Sequence, residues 1–282
     1  MDGHRTTPNG VHPLNIGRAA PIPHPGLREG LGPPTLGRVL RIIDARTGEP
    51  VVAAPVRRGL TRVEAHASGY GTGTLRVLLV ADLVVRVLEL GGTSVLPVLT
   101  GEREQAELRA AATTLGVRPF EDARDLSGGF GEAQAVHVAA EDDAETAAGE
   151  GVWVPVAAVR PDAPAGAAPE PAALRLALLS HHHRAPATLD AAALDEAATT
   201  LARWRRAVAG WARSPSRPVP DDLRGQLRTA WEDDLDLPAV LSVLRSVEEA
   251  GPRLPDGARF ETYAYADRLV GLELTRDVGA PA

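Results

Sequence analysis

The stretch Ser68-Gly-Tyr-Gly-Thr-Gly-Thr74 sets three glycines and two threonines between a run of branched residues and a long apolar segment. A strand that turns through glycine into a helix points main-chain amides outward, and the aligned peptide dipoles favour an anion there. Gly69, Gly71, Thr72, Gly73 and Thr74 are therefore the candidate nucleotide- or phosphate-binding residues. The spacing departs from G-x-G-x-x-G, because Thr74 stands where the third glycine belongs, and no Walker lysine follows. The other reading is a tight turn that needs glycine for its backbone.

Three further groups could carry chemistry. His181-His182-His183 invites a metal, but consecutive residues on a helix project about 100° apart and cannot converge on one ion. A helix end exposing some imidazoles is the expectation. The run Glu232-Asp-Asp-Leu-Asp236 could offer carboxylates to a cation. Asp236 before Leu237-Pro238 also reads as an N-cap, with proline in the first helical turn. Arg203, Arg205 and Arg206 flank Trp204 and are candidate contacts for RNA or a protein partner. Trp204 and Trp211 belong to an apolar stripe with Leu194, Leu201 and Val208, so the arginines read as its solvated flank.

Two absences limit the chemistry. The 282 residues contain no cysteine and no lysine; all 30 basic residues are arginine. Thiolate nucleophiles, disulfides, cysteine-ligated zinc and Schiff-base lysines are excluded. The net charge of −7 argues against a dedicated DNA-binding module. No apolar run is long enough for a membrane span, and no secretory signal opens the chain, so cytoplasm is the expected compartment.

The elements that must position these groups follow from hydrophobic period. Residues 1–36, dense in proline and glycine, read as a disordered tail. Strands are expected at Arg38–Ile43, Leu60–Ala65, Ser94–Leu99, Ala135–Ala139 and Val152–Val159. Helices are expected at about 74–90 and 102–115, the first showing Asp82, Arg86 and Glu89 on one exposed face. Alternating strands and helices imply a parallel sheet. Asp142 to Gly151 reads as an acidic loop and Pro161 to Pro171 as a linker. Beyond it the pattern is helical, near 172–183, 190–212, 221–231, 237–250 and 257–272. The expected fold is a truncated Rossmann-like parallel sheet half-domain (37–160), a linker (161–171) and an α-helical bundle (172–282).

Against that outline a resemblance becomes visible. Ala81-Asp-Leu-Val-Val-Arg-Val-Leu-Glu-Leu-Gly-Gly92 resembles the helix after the ATP motif of class I cysteinyl-tRNA synthetases and of the mycothiol-pathway cysteine ligase. Ser94–Thr100 is similar to their next strand, and Leu115-Gly-Val-Arg-Pro119 to a later landmark. Ala173–Arg184 resembles the segment that opens their helical domain, and Asp233–Leu241 that domain's acidic turn and helix. The resemblance covers about 38–139 and 172–272, and an end soon after Leu274 is more like the mycothiol enzyme.

The departures from the family decide what the resemblance implies. Aligned on Asp82, the family's His-Ile-Gly-His motif falls on Gly71-Thr-Gly-Thr74, where only Gly73 is retained. The first zinc-binding cysteine falls near Arg62, and no Lys-Met-Ser-Lys-Ser loop precedes Ala173. The expectation is a non-catalytic, synthetase-like binding or regulatory protein with no catalytic residue, no zinc and no resident cofactor, ATP being the one ligand left open. The alternative is a divergent ATP-dependent aminoacyl ligase of cysteine-activating type. Expected partners are an active paralogue or another enzyme of thiol or tRNA metabolism. Transfer RNA ranks behind these, and neither DNA nor membrane is expected.

Overall fold

The computed structural model describes residues 1, 39–55, 59–101, 105–126, 134–147, 150–160 and 170–280. The tail expected over 1–36, the start of the first strand and linker residues 161–169 lie outside these. Residues 38–282 make one compact unit.

β1 (Arg41–Ile43) and β2 (Pro50–Val52) pair as an antiparallel hairpin. The first expected strand thus lies outside the main sheet. That sheet is built from β3 (Leu60–His66), β4 (Ser94–Thr100), β5 (Glu121–Asp122), β6 (Ala135–Ala140) and β7 (Val152–Val156). Its order is β5-β4-β3-β6-β7 and every neighbouring pair is parallel. Chain order reverses between β3 and β6, and crevices at such switch points are where open α/β sheets bind ligands.

α1 (Thr72–Leu90) follows β3, α2 (Gln105–Thr114) follows β4, and the short α3 (Glu141–Glu145) follows β6. The acidic segment expected to be a loop thus begins as a helix. Its three leading carboxylates sit in the first turn, where the dipole favours them. β8 (Val159–Arg160) leads to α4 (Pro171–Leu179) and pairs in parallel with β9 (Ala187–Thr188). α5 (Ala191–Trp211), α6 (Asp221–Glu232), α7 (Leu237–Glu249) and α8 (Asp256–Val270) complete the bundle.

α1 is buried without interruption from Leu75 to Val85. A helix apolar all round must be covered all round: α1 packs on β3, β4 and β6 on one side and meets α8 on another. Each fully buried leucine there, such as Leu78 or Leu83, contributes about 1.5–3 kcal/mol. The hydrophobic core runs from Val63 and Val136 through α1 into Leu176, Trp204 and Tyr263 of the bundle. Trp204 and Trp211 both lie in it, as their stripe requires.

This packing overturns the exposed face expected for Asp82. Its side chain is 0% exposed and accepts from Arg86 Nε at 2.8 Å, Arg118 Nε at 2.9 Å and Arg175 Nη2 at 3.2 Å. Arg175, 1% exposed, also donates to the carbonyls of Val270 and Leu115. The helix period correctly put polar residues on one stripe, of which Asp82 lies buried beneath a second layer of helices while Glu89 is exposed as expected.

The hairpin is tied to the far edge of the sheet. Ala45 N donates to the Trp153 carbonyl at 2.9 Å, and Trp153 N donates to Asp44 Oδ2 at 3.1 Å.

Candidate functional site

Gly69 to Thr74 leave the carboxyl end of β3 beside the β3/β6 switch point. Gly69 has φ 148°, which only glycine adopts without strain. Gly73 is different: a Cβ there would meet nothing within 4 Å, so packing does not require glycine at that position. Gly71 caps α1 with extended backbone and no side-chain hydrogen bond. The amides of Thr72, Gly73 and Thr74 therefore open the helix without an intrahelical acceptor. Arg76, the first cation on α1, is turned inward: it donates to the carbonyls of Ala157 (2.7 Å) and His182 (2.8 Å), and burial pushes its pKa down to about 10.

A second constellation lies on the sheet face opposite α1 and was missed in the sequence. The parallel register sets Glu64 beside His137 and His137 beside Trp153. Two residues on from Glu64, His66 shares its face. His66 Nε2 and His137 Nδ1 are 3.1 Å apart, and Glu64 Oε2 is 3.4 Å from His137 Nδ1. Trp153 stacks on both imidazoles, with ring centroids 5.0 and 4.3 Å away. The His137 contact holds the Glu64 carboxyl below its ordinary pKa against the opposing effect of burial. Burial, then the neighbouring His137, pushes the His66 pKa down. The signal was available: Arg62, Glu64 and His66 alternate in β3, whereas central parallel strands are normally apolar on both faces.

The three consecutive histidines do not continue α4, which ends at Leu179, so helical geometry does not keep them apart. His182, His183 and Asp234 come close enough to share an ion. His183, however, is buried, and its Nδ1 lies 2.7 Å from the Pro155 carbonyl and its Nε2 3.0 Å from the Asp234 carbonyl. Both ring nitrogens are thus already engaged with main-chain carbonyls of the fold. The cluster is a pin between the end of β7 and the acidic turn.

That turn is structural in its other contacts as well. Asp234 and Leu235 have φ near 50°, Asp234 Oδ1 accepts from Ile43 N, and Asp234 N donates to the Arg41 carbonyl. Asp236 Oδ1 accepts from Ala239 N at 2.9 Å, the N-cap that the sequence led us to expect.

The arginine trio is divided. Arg203 pairs with Glu248 at 2.8 Å, and Arg206 donates to the Ala202 carbonyl within its own helix. Arg205 is 6% exposed and donates to Glu170 and to the carbonyls of Leu272 and Glu273.

An apolar cleft of about 240 Å³ lies between α1, α2 and the approach to β5, lined by Leu78, Leu99, Val117 and Phe120, with Arg109 and Arg118 at its edge.

Comparison with known proteins places part of this architecture. The chain is 37% identical over 108 residues to the L-cysteine:1D-myo-inositol 2-amino-2-deoxy-alpha-D-glucopyranoside ligase of Streptosporangium roseum. The same-named ligase of Parafrankia is 45% identical over 113 residues, and that of Streptomyces griseus 38% over 108. Over that stretch the chain is related to these ligases. Each match covers 37% of this chain and 24–26% of the relative, so the chain spans about a quarter of the ligases it matches. No family model matches.

The segments that carry the resemblance are those that meet in the structure. Asp82, Leu115, Arg118 and Arg175 make one hydrogen-bonded knot, and His183 meets Asp234. The zinc that the resemblance implies does not fit its expected place. Arg62 stands there, its guanidinium Nε 3.3 Å from Glu64 Oε1, and a cation cannot ligate a cation.

Proposed function

We propose that this chain is a non-catalytic relative of the cysteine ligases, a binding or regulatory protein that uses the scaffold without adenylate chemistry. The observation that carries this reading is the β3–α1 turn. Where the resemblance calls for two histidines, Gly71 and Thr74 supply only main chain and a hydroxyl. A pyrophosphate leaving group needs preorganised positive charge, and removing one such donor costs about 100- to 1000-fold in rate. Losses within one machinery do not add, but the chain has neither lysine nor cysteine from which to rebuild it. Any nucleotide held at this turn is held by the amides of residues 72–74. The role left to the scaffold is docking, on an active paralogue or another enzyme of thiol or tRNA metabolism. Transfer RNA ranks behind these, because Arg205 of the arginine trio is buried against Glu170 and two carbonyls, leaving Arg203 and Arg206 exposed.

The test is pyrophosphate exchange into labelled ATP by the purified chain, run with each amino acid in turn. The expected outcome is background incorporation throughout. Exchange above background with any amino acid restores the divergent-ligase reading.

A further inference from the structure

We infer that Glu64, His66 and His137 form a binding site for one divalent transition-metal ion of the Zn²⁺ type. These residues are not at the position where the ligase resemblance calls for a metal-binding cysteine, which falls near Arg62.

Zinc binds imidazole nitrogen at about 2.0–2.1 Å and carboxylate oxygen at about 2.0–2.2 Å, so ligand atoms around a tetrahedral ion stand about 3.3–3.5 Å apart. His66 Nε2 and His137 Nδ1 are 3.1 Å apart, and His137 Nδ1 and Glu64 Oε2 are 3.4 Å apart. All three atoms lie within 4.8 Å of one another. Two of the three donor separations thus lie close to a tetrahedral edge, and the third is within 4.8 Å.

The surroundings fix which nitrogen faces inward. His137 Nε2 lies 3.1 Å from the Glu150 carbonyl, which places the ring proton there and leaves Nδ1 as a lone pair. A second partner of this kind is what orients a metal-bound imidazole. Gly151 makes it possible: it has φ 109°, and a Cβ there would lie 2.6 Å from the Ala135 carbonyl oxygen and 3.1 Å from His137 Nε2. His137 Nδ1 therefore faces the Glu64 carboxylate at a separation that a bound cation between them would span.

Trp153, stacked on both rings, holds them against the sheet. Arg62 approaches Glu64 through Oε1 and leaves Oε2 for the ion. It makes no hydrogen bond there, so it neutralises part of the site's charge without closing it. Two imidazoles and one carboxylate are the donor set of open zinc sites, whose fourth position takes water or a small anion. The nitrogen donors select against Mg²⁺ and Ca²⁺, which prefer oxygen.

The test uses the full chain, dialysed against chelator and titrated with ZnCl₂ by calorimetry, with stoichiometry read by elemental analysis after gel filtration. One Zn²⁺ per chain is expected, with no heat from MgCl₂. Co²⁺ should give the visible bands of a four-coordinate ion. His66→Ala and His137→Ala should each weaken binding by more than about 100-fold, beyond the about 10- to 100-fold carried by an outer-shell partner. His182→Ala should leave it unchanged. Glu64→Gln keeps the side-chain shape and, with circular dichroism as a check on folding, should also weaken binding. Absence of stoichiometric Zn²⁺, or binding of unchanged affinity in a folded chain lacking both imidazoles, overturns the site. The latter result assigns the ion to the imidazoles of His4, His12 and His24 or of the 181–183 run. Neither result bears on pyrophosphate exchange, so this inference and the proposed function fail separately.

Discussion

Asp82 shows how far a single side chain can hold two halves of a molecule together. It stands in α1, yet its three arginine partners come from α1, from the segment after α2 and from α4. Burial opposes its charge, but Arg86, Arg175 and Arg118 together hold its carboxyl below the ordinary value of 3.8. Breaking a buried ion pair costs about 3–5 kcal/mol, and loss of the Asp82 charge would strip the buried Arg175 of its carboxylate partner. Asp82→Asn should therefore lower the urea midpoint by an amount equivalent to roughly 3 kcal/mol or more, read by tryptophan fluorescence. The sequence displayed Asp82, Arg86 and Glu89 at helical spacing, but spacing reveals a common stripe and not what lies against it. Arg118 and Arg175 carried no local sign of their pairing with Asp82, because that partner is 36 and 93 residues away. The Glu64–His66–His137 group was hidden for a related reason: His137 reaches β3 only once β6 has been placed next to it.

Single elements were more legible than the contacts between them. α7 announced its start through Asp236 and Pro238, since an N-cap acts on amides only three residues away. Asp236→Ala should cost about 1 kcal/mol, measurable as a small fall in the denaturation midpoint with unchanged slope. The end of α8 was equally local: Gly271 adopts φ 58° and closes the helix in the left-handed conformation. Elements whose existence depends on distant pairing were not legible. β2 is strand only because β1 folds back on it, and β8 only because β9 arrives beside it. The histidine run illustrates the same limit, because helical geometry was applied to residues that follow the last turn of α4.

For the whole molecule, the balance of buried carboxyls sets the response to acid. Asp44, Asp82 and Asp234 all have depressed values in the fold, through backbone amides, arginines and His183 respectively, each outweighing burial. A depressed carboxyl contributes stability that is fully present above its unfolded value of 3.8 and is lost as pH falls through its folded value. Asp267 acts in the opposite sense: burial raises its value, so its cost is present at neutral pH and relieved as pH drops. Glu64 is depressed as well, and the lowered His66 and His182 add a loss that begins below their ordinary 6.5. The thermal midpoint is therefore expected to decline gently from about pH 6.5 and to fall steeply below about 3.8. Asp82→Asn should flatten that fall; an unchanged profile would remove Asp82 from the account.

The hairpin that clasps β7 has a consequence for the protein in company with copies of itself. A bare strand margin offers a row of idle amides and carbonyls on which another chain can template. Here Asp44 and Ala45 occupy the Trp153 main chain, while the opposite margin, β5, is a two-residue strand that gives way at once to a helical turn. Among the described residues both flanks are thus partly covered, β5 at Val98 and Leu99 of β4 and the hairpin at Trp153, so crowding this chain should favour dispersed molecules over fibres.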